Sequence, residues 1–183
     1  MRQTIRKSIS LLLALCMILG LCLPAAAQEE NPTDVPGVGR VEDTDPAVQY
    51  SQSVDHGDPP VGVWGVWDPY HFVRLPLPVE EQQEYPAVTL TFQGTGIKVF
   101  GQLATNGPIM TVTIDGTQAG EADFYGSSAS GIAYEKHGLD NGVHTAVFTF
   151  TNRTNSPDPS QFKDLQAAID YFEVLGPLSL IHI

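Results

Sequence analysis

The chain has 183 residues, with 9 basic and 21 acidic side chains, a formal net charge of −12 and two cysteines. So acidic a polymer is repelled by nucleic acid and by anionic membrane surfaces, which excludes functions that rest on a basic patch. Its charge suits neutral ligands, or cations such as calcium.

Residues 1–27 have a positive start at Arg2, Arg6 and Lys7, an apolar run over about 9–23, and Ala25, Ala26 and Ala27 after Pro24. This is the pattern of a secretory signal peptide. The apolar run is short for a membrane span. Both cysteines, Cys16 and Cys22, lie within it, and each follows a leucine, which argues against a lipid-anchored cysteine. The exported protein is therefore expected to lack disulfides, although it enters a compartment that permits them. Six basic and 21 acidic residues remain after residue 27, a net charge of −15. Residues 28–37 are polar with two prolines and read as a flexible leader.

A single domain is expected over 38–176, long enough for a core of its own. Short strands are predicted at 39–44 and 47–51. Alternating, β-branched segments follow at 87–92, 96–101, 109–115, 120–126, 131–138, 143–150 and 167–176. Asp115-Gly116, between the segments at 109–115 and 120–126, is a strong hairpin signal. Only 158–168 has room for a helical turn. Many short strands between Gly, Asn, Asp and Pro turns argue for an all-β, antiparallel sandwich.

His137 and His144 stand seven positions apart around Asp140-Asn141-Gly142. A metal needs three or four converging ligands, and there is no nearby cysteine or H-x-x-x-H. The stretch is read as a structural hairpin, with Ala146, Phe148 and Phe150 facing the core and the His144 ring at its mouth, bonded to a loop carbonyl. Gly94-Thr95-Gly96 leads into a strand, so it is no dinucleotide fingerprint. The turn at 126–131 is no nucleophile elbow. Asn152-Arg153-Thr154 is a glycosylation sequon of low specificity.

The chain ends in Leu178-Ser179-Leu180-Ile181-His182-Ile183 after Gly176-Pro177. In one reading frame a widely used transposon-end sequencing adapter translates to these six residues. Residues 178–183 are therefore expected to be adapter-derived, and the natural protein to continue past Pro177. The other reading is a genuine apolar C-terminus.

Five segments occur in a familiar order: VEDTDPAVQYS, VTLTFQGTGIKVFG, VTIDG, YEKHGLDNGVHTAVFTF and IDYFEV. Together they resemble the galactose-binding-like β-sandwich, a jelly roll found in accessory modules of secreted glycoside hydrolases and in surface proteins. The resemblance covers about 38–176 and implies a non-catalytic, carbohydrate-binding module joined to further domains. It does not specify a ligand, because this fold serves many roles. The alternatives are the accessory domain of a truncated glycoside hydrolase, or a structural or adhesion spacer without a sugar site. Related sequences often carry Y-S-G-x-W after the first strands, whereas this chain has Tyr50-Ser51-Gln52 and then a longer insertion.

That insertion, 55–78, holds both tryptophans. Sugar recognition needs a flat apolar face for the ring and fixed polar groups for its hydroxyls. Trp64, Trp67 and Tyr70, with Asp68, His71 and Arg74, form the candidate site for a polysaccharide or glycan. The competing reading is that one tryptophan caps the core and the rest pack the insertion down. Asn106, Tyr125 and Asn155 are weaker loop candidates. Related modules often hold a structural ion near the chain ends. Here Glu42, Asp43, Asp45 and Asp170 would be the calcium ligands, calcium being the one cofactor considered.

Overall fold

A computed structural model describes residues 35–54, 59–77 and 84–177. The expected signal peptide, most of the expected leader and residues 178–183, expected to be adapter-derived, lie outside the described residues.

Among the described residues, twelve strands run in chain order: β1 Gly39–Glu42, β2 Val48–Tyr50, β3 Ser53–Val54, β4 Trp64–Trp67, β5 Tyr70–Pro76, β6 Ala87–Gly94, β7 Gly96–Leu103, β8 Ile109–Ile114, β9 Thr117–Asp123, β10 Ala129–Lys136, β11 Gly142–Phe150 and β12 Asp164–Leu175. One 3₁₀ turn, Pro159–Gln161, precedes β12. The helical turn expected over 158–168 is thus confined to its first residues.

The strands form two sheets. One has the order β10-β7-β12-β5-β4-β3, with β1 also paired to β12; the other has the order β2-β6-β11-β8-β9. Pairing is antiparallel apart from β3 with β4. This is the antiparallel jelly-roll sandwich that the sequence resemblance implied. The first half of β12 pairs with β5 and its second half with β1, so these two strands lie end to end along one side of β12.

The sandwich follows from period-two burial. Along β6, Val88, Leu90 and Phe92 are buried while the residues between them are not; β11 repeats this with Ala146, Phe148 and Phe150. Each fully buried large apolar side chain contributes about 1.5–3 kcal/mol. Phe148 joins the layers: its ring meets Tyr134 edge-on at 5.6 Å and Phe172 at 5.9 Å, both from the opposite sheet.

The Asp115-Gly116 turn is the expected hairpin. It joins β8 to β9 with Ile114 opposite Thr117, and both turn residues have positive φ, 53° and 73°. Residues 139–142 are different. β10 pairs with β7 and β11 pairs with β6 and β8, so this connection crosses from one sheet to the other and is not a hairpin. Turn-forming residues mark where a chain reverses, but not whether the flanking strands pair. His144 does lie at the mouth of the core, its Nε2 donating to the Asp140 carbonyl at 2.8 Å and its Nδ1 to Asp115 at 2.6 Å. His137 instead pairs with Glu135 at the surface.

The 55–78 segment is also more than an insertion. It contributes β4 and β5, which extend the larger sheet from β12.

Candidate functional site

β4 and β5 reverse tightly at Asp68-Pro69, with Trp67 opposite Tyr70 and Gly65 opposite Phe72. Side chains alternate across a strand, and cross-strand partners share a face. Trp67, Tyr70, Phe72 and Arg74 therefore leave the outer face of the sheet. Trp64, His71, Val73 and Leu75 turn inward.

The next strands extend the outer face. On β12, Ala168 lies opposite Phe72 and Gln166 opposite Arg74; on β7, Gln102 lies opposite Ala168. Phe72, Ala168 and Gln102 thus make one row across three strands, about 10 Å wide at the usual strand spacing. Because the central side chain is only a methyl group, the row dips in the middle. Trp67 stands over one side, its ring edge-on to Phe72 at 5.5 Å. The result is a groove of about 370 Å³, aromatic on the β4–β5 side, with Gln102 and Gln166 opposite and Asp68 at the turn. Trp67 is 68% exposed. Most of the Trp67 ring thus stays open to solvent beside a concave surface, packed only along its contact with Phe72.

The groove is held from below. The β7 and β12 backbones approach so closely that a Cβ on Gly101 would lie 2.1 Å from the Ala168 carbonyl oxygen. Under β5, the buried His71 Nδ1 donates to Asp43 Oδ2 at 2.7 Å, and its ring stacks on Tyr50 at 4.3 Å. The Tyr50 hydroxyl donates to the Asp43 carbonyl at 3.0 Å. These contacts fasten the strand that presents Tyr70 and Phe72 to the segment between β1 and β2.

The structure therefore divides the predicted sugar site. Trp67, Asp68 and Tyr70 meet in the groove. Trp64 is fully buried, its ring 4.9 Å from that of Tyr50, and offers no surface to a ligand. His71 is buried in its pair with Asp43. Arg74 is half-buried beside Gln166, and its carbonyl accepts from the Gly62 amide at 2.8 Å. The structure adds Phe72, Gln102, Gln166 and Ala168. One signal for part of this split lay in the sequence: Trp64 and Trp67 are three apart, and odd spacings on a strand point to opposite faces. Gln102 and Gln166 carried no local signal, because their place depends on which strands flank β5. The weaker candidates serve the loops: Asn106 donates to the Asp164 carbonyl at 3.3 Å, Asn155 donates to Asp123 at 2.7 Å, and the Tyr125 amide donates to Asp123 at 2.9 Å.

The four acids expected to bind calcium are engaged by groups of the chain itself, Glu42 and Asp170 both by Arg40. Glu42 pairs with Arg40 at 2.7 Å, Asp45 accepts from the Ala47 amide at 2.8 Å, and Asp43 holds His71. Asp170 lies 3.7 Å from Arg40. Burial lifts its carboxyl above the usual range, against the pull of Arg40 and with help from Asp43 and Glu42. Among the described residues, no three His, Cys, Asp or Glu side chains converge as a metal site requires.

Neither a family model nor a curated protein sequence matches the chain. Among solved structures, it is similar to a family two carbohydrate esterase from Cellvibrio japonicus, with 11% identity and a TM-score of 0.49, over 76% of this chain and 34% of the esterase. The chain thus spans about a third of that enzyme's length. It is also similar to the CBM36-1 domain of a multidomain xylanase from the hindgut metagenome of Trinervitermes trinervoides, with 20% identity and a TM-score of 0.42, over 71% of this chain and 98% of that domain. A third similar structure is a CBM36 carbohydrate-binding module in complex with calcium and xylotriose, with 14% identity and a TM-score of 0.39, over 74% and 98% of the two chains. None of these likenesses assigns a residue of the groove.

Proposed function

We propose that this is a secreted, non-catalytic module that binds carbohydrate in the outer-face groove, as one part of a longer extracellular protein. The observation that carries the reading is the exposed Trp67 over a concave surface that also presents Tyr70, Phe72, Asp68, Gln102 and Gln166. A pyranose has an apolar C–H face and a rim of hydroxyls. The aromatic side of the groove complements the first, and the amides and carboxylate complement the second. The N-terminal signal pattern supports export. Glycoside hydrolysis would need a pair of carboxylates flanking the bound bond; among the described residues the groove lining contributes one, Asp68.

Fluorescence tests this directly. Trp64 is buried and Trp67 exposed, so a bound glycan is expected to shift Trp67 emission and shield it from acrylamide, leaving Trp64 as an unchanged internal reference. Trp67→Ala should remove the response. Absence of binding to every member of a broad glycan array would overturn the reading.

A further inference from the structure

We infer that the groove selects uncharged sugar chains over uronates, and that Gln102 and Gln166 are its specificity-determining residues. The inference rests on the reading of the groove as a carbohydrate site. The groove has two unlike sides. Trp67, Tyr70 and Phe72 offer ring surface and one hydroxyl; the hydrogen-bonding groups that face them come from Gln102 on β7 and Gln166 on β12. Each amide carries both donors and acceptors, as a sugar hydroxyl does, so two amides can read hydroxyl positions without demanding charge.

The charged groups point the same way. Recognition of a carboxylate usually rests on a guanidinium or ammonium group with matching donors. Among the described residues, the groove lining contains no lysine or arginine, and its carboxylate, Asp68, repels an anion. Arg74 lies beside Gln166 in the ladder but does not line the groove. The chain as a whole carries −12, which lowers the local concentration of any polyanion.

Gln102 and Gln166 are half-buried and border the groove. They stand on adjacent strands, and Ala168, the cross-strand partner of Gln102, is two residues beyond Gln166 on the same face of β12. The two amides therefore sit at successive positions along the groove, as the hydroxyls of a linear chain would require. A site that hydrogen-bonds hydroxyls discriminates strongly, because a mismatched ligand leaves its buried polar groups unpaired.

The test is isothermal titration of the whole chain with neutral xylo-, gluco- and manno-oligosaccharides and with oligogalacturonate and oligoglucuronate, at moderate salt. The proteins are wild type, Trp67→Ala, Gln102→Ala, Gln166→Ala and the near-isosteric Gln102→Glu, each checked for native circular dichroism. At least one neutral series is expected to bind, with uronates weaker by about tenfold or more. Each glutamine truncation should weaken neutral binding by about 5–10-fold, and Gln102→Glu, which keeps the shape but removes a donor, should weaken it too. Uronates binding as tightly as neutral chains would overturn the inference. So would glutamine variants that bind normally while Trp67→Ala loses binding; in both cases the carbohydrate reading of the groove stands. If no sugar of either class binds and Trp67→Ala is indistinguishable from wild type, the carbohydrate reading itself fails, and the inference with it.

Discussion

Trp64 and Trp67 sit three residues apart on one four-residue strand and meet opposite environments. The inner face of β4 and β5 gives Trp64, Val73 and Leu75 to the core, each fully buried. The outer face of the same two strands gives Trp67, Tyr70 and Phe72 to a groove. The residue types are alike and the backbone is shared, so what separates packing from recognition is parity along the strand. The inner face is closed by a second sheet; among the described residues no further sheet covers the outer face.

This contrast predicts separable losses. The largest effect should come from Trp64→Ala, which opens a cavity in the closed layer and is expected to cost about 3–5 kcal/mol of stability, read by chemical denaturation. Next, Asp43→Ala leaves the buried His71 Nδ1 without its acceptor and should cost about 1–3 kcal/mol, with a parallel weakening of ligand binding if β5 loosens. Trp67→Ala should leave the melting temperature within about 1–2 °C of wild type, because surface changes cost about 0.5 kcal/mol or less, while binding falls tenfold or more. Equal stability losses in the two tryptophan variants would break the comparison between the faces. Ala168→Phe sharpens it: filling the dip between Phe72 and Gln102 should block binding without removing any contact to the ligand.

The smallest effect belongs to the His144–Asp115 pair, at the end of the other sheet. Both ring nitrogens face acceptors, Asp115 Oδ2 and the Asp140 carbonyl, so both are satisfied only when the ring is an imidazolium. The hydrogen bond to Asp115 raises the His144 pKa, and the one to Asp140 adds to it. The bond from His144, and then that from the Thr145 amide, lowers the Asp115 pKa. A histidine raised on folding contributes stability that is complete below its unfolded value, about 6.5, and is lost as pH rises through the higher folded value. A carboxyl lowered on folding contributes above about 3.9 and is lost as pH falls through the lower folded value. The pair should therefore help most between about pH 4 and 6.5. His144→Gln should flatten that part of the melting-temperature profile, and only slightly, because Asp115 is exposed to solvent screening.

Much of the fold was legible because its signals are local. Alternation along 87–92 and 143–150 named strands that are observed, the second with its expected buried set Ala146, Phe148 and Phe150, and Asp115-Gly116 named a turn whose φ values need such residues. The 55–78 stretch was misread as an inserted segment because its prolines and clustered aromatics masked two strands. The candidate site was half legible. Trp67, Asp68 and Tyr70 are neighbours in sequence, whereas Gln102 and Gln166 arrive from strands 30 and 90 or more residues away. Residues 139–142 show the same limit: the turn was visible, and the sheet each flanking strand joins was not.

By itself, then, the sequence determined an acidic chain of short alternating strands with a cysteine-free domain and an aromatic-rich segment near residue 65. Those properties depend on composition and on contacts between residues close along the chain. Tertiary structure decided that β5 lies beside β12 and β12 beside β7, and hence that Phe72, Ala168 and Gln102 form one row. Strand pairing is a competition among all edges in the chain, settled by which arrangement buries the most apolar surface with its backbone hydrogen bonds made. A groove built across three such pairings exists only once that competition is over.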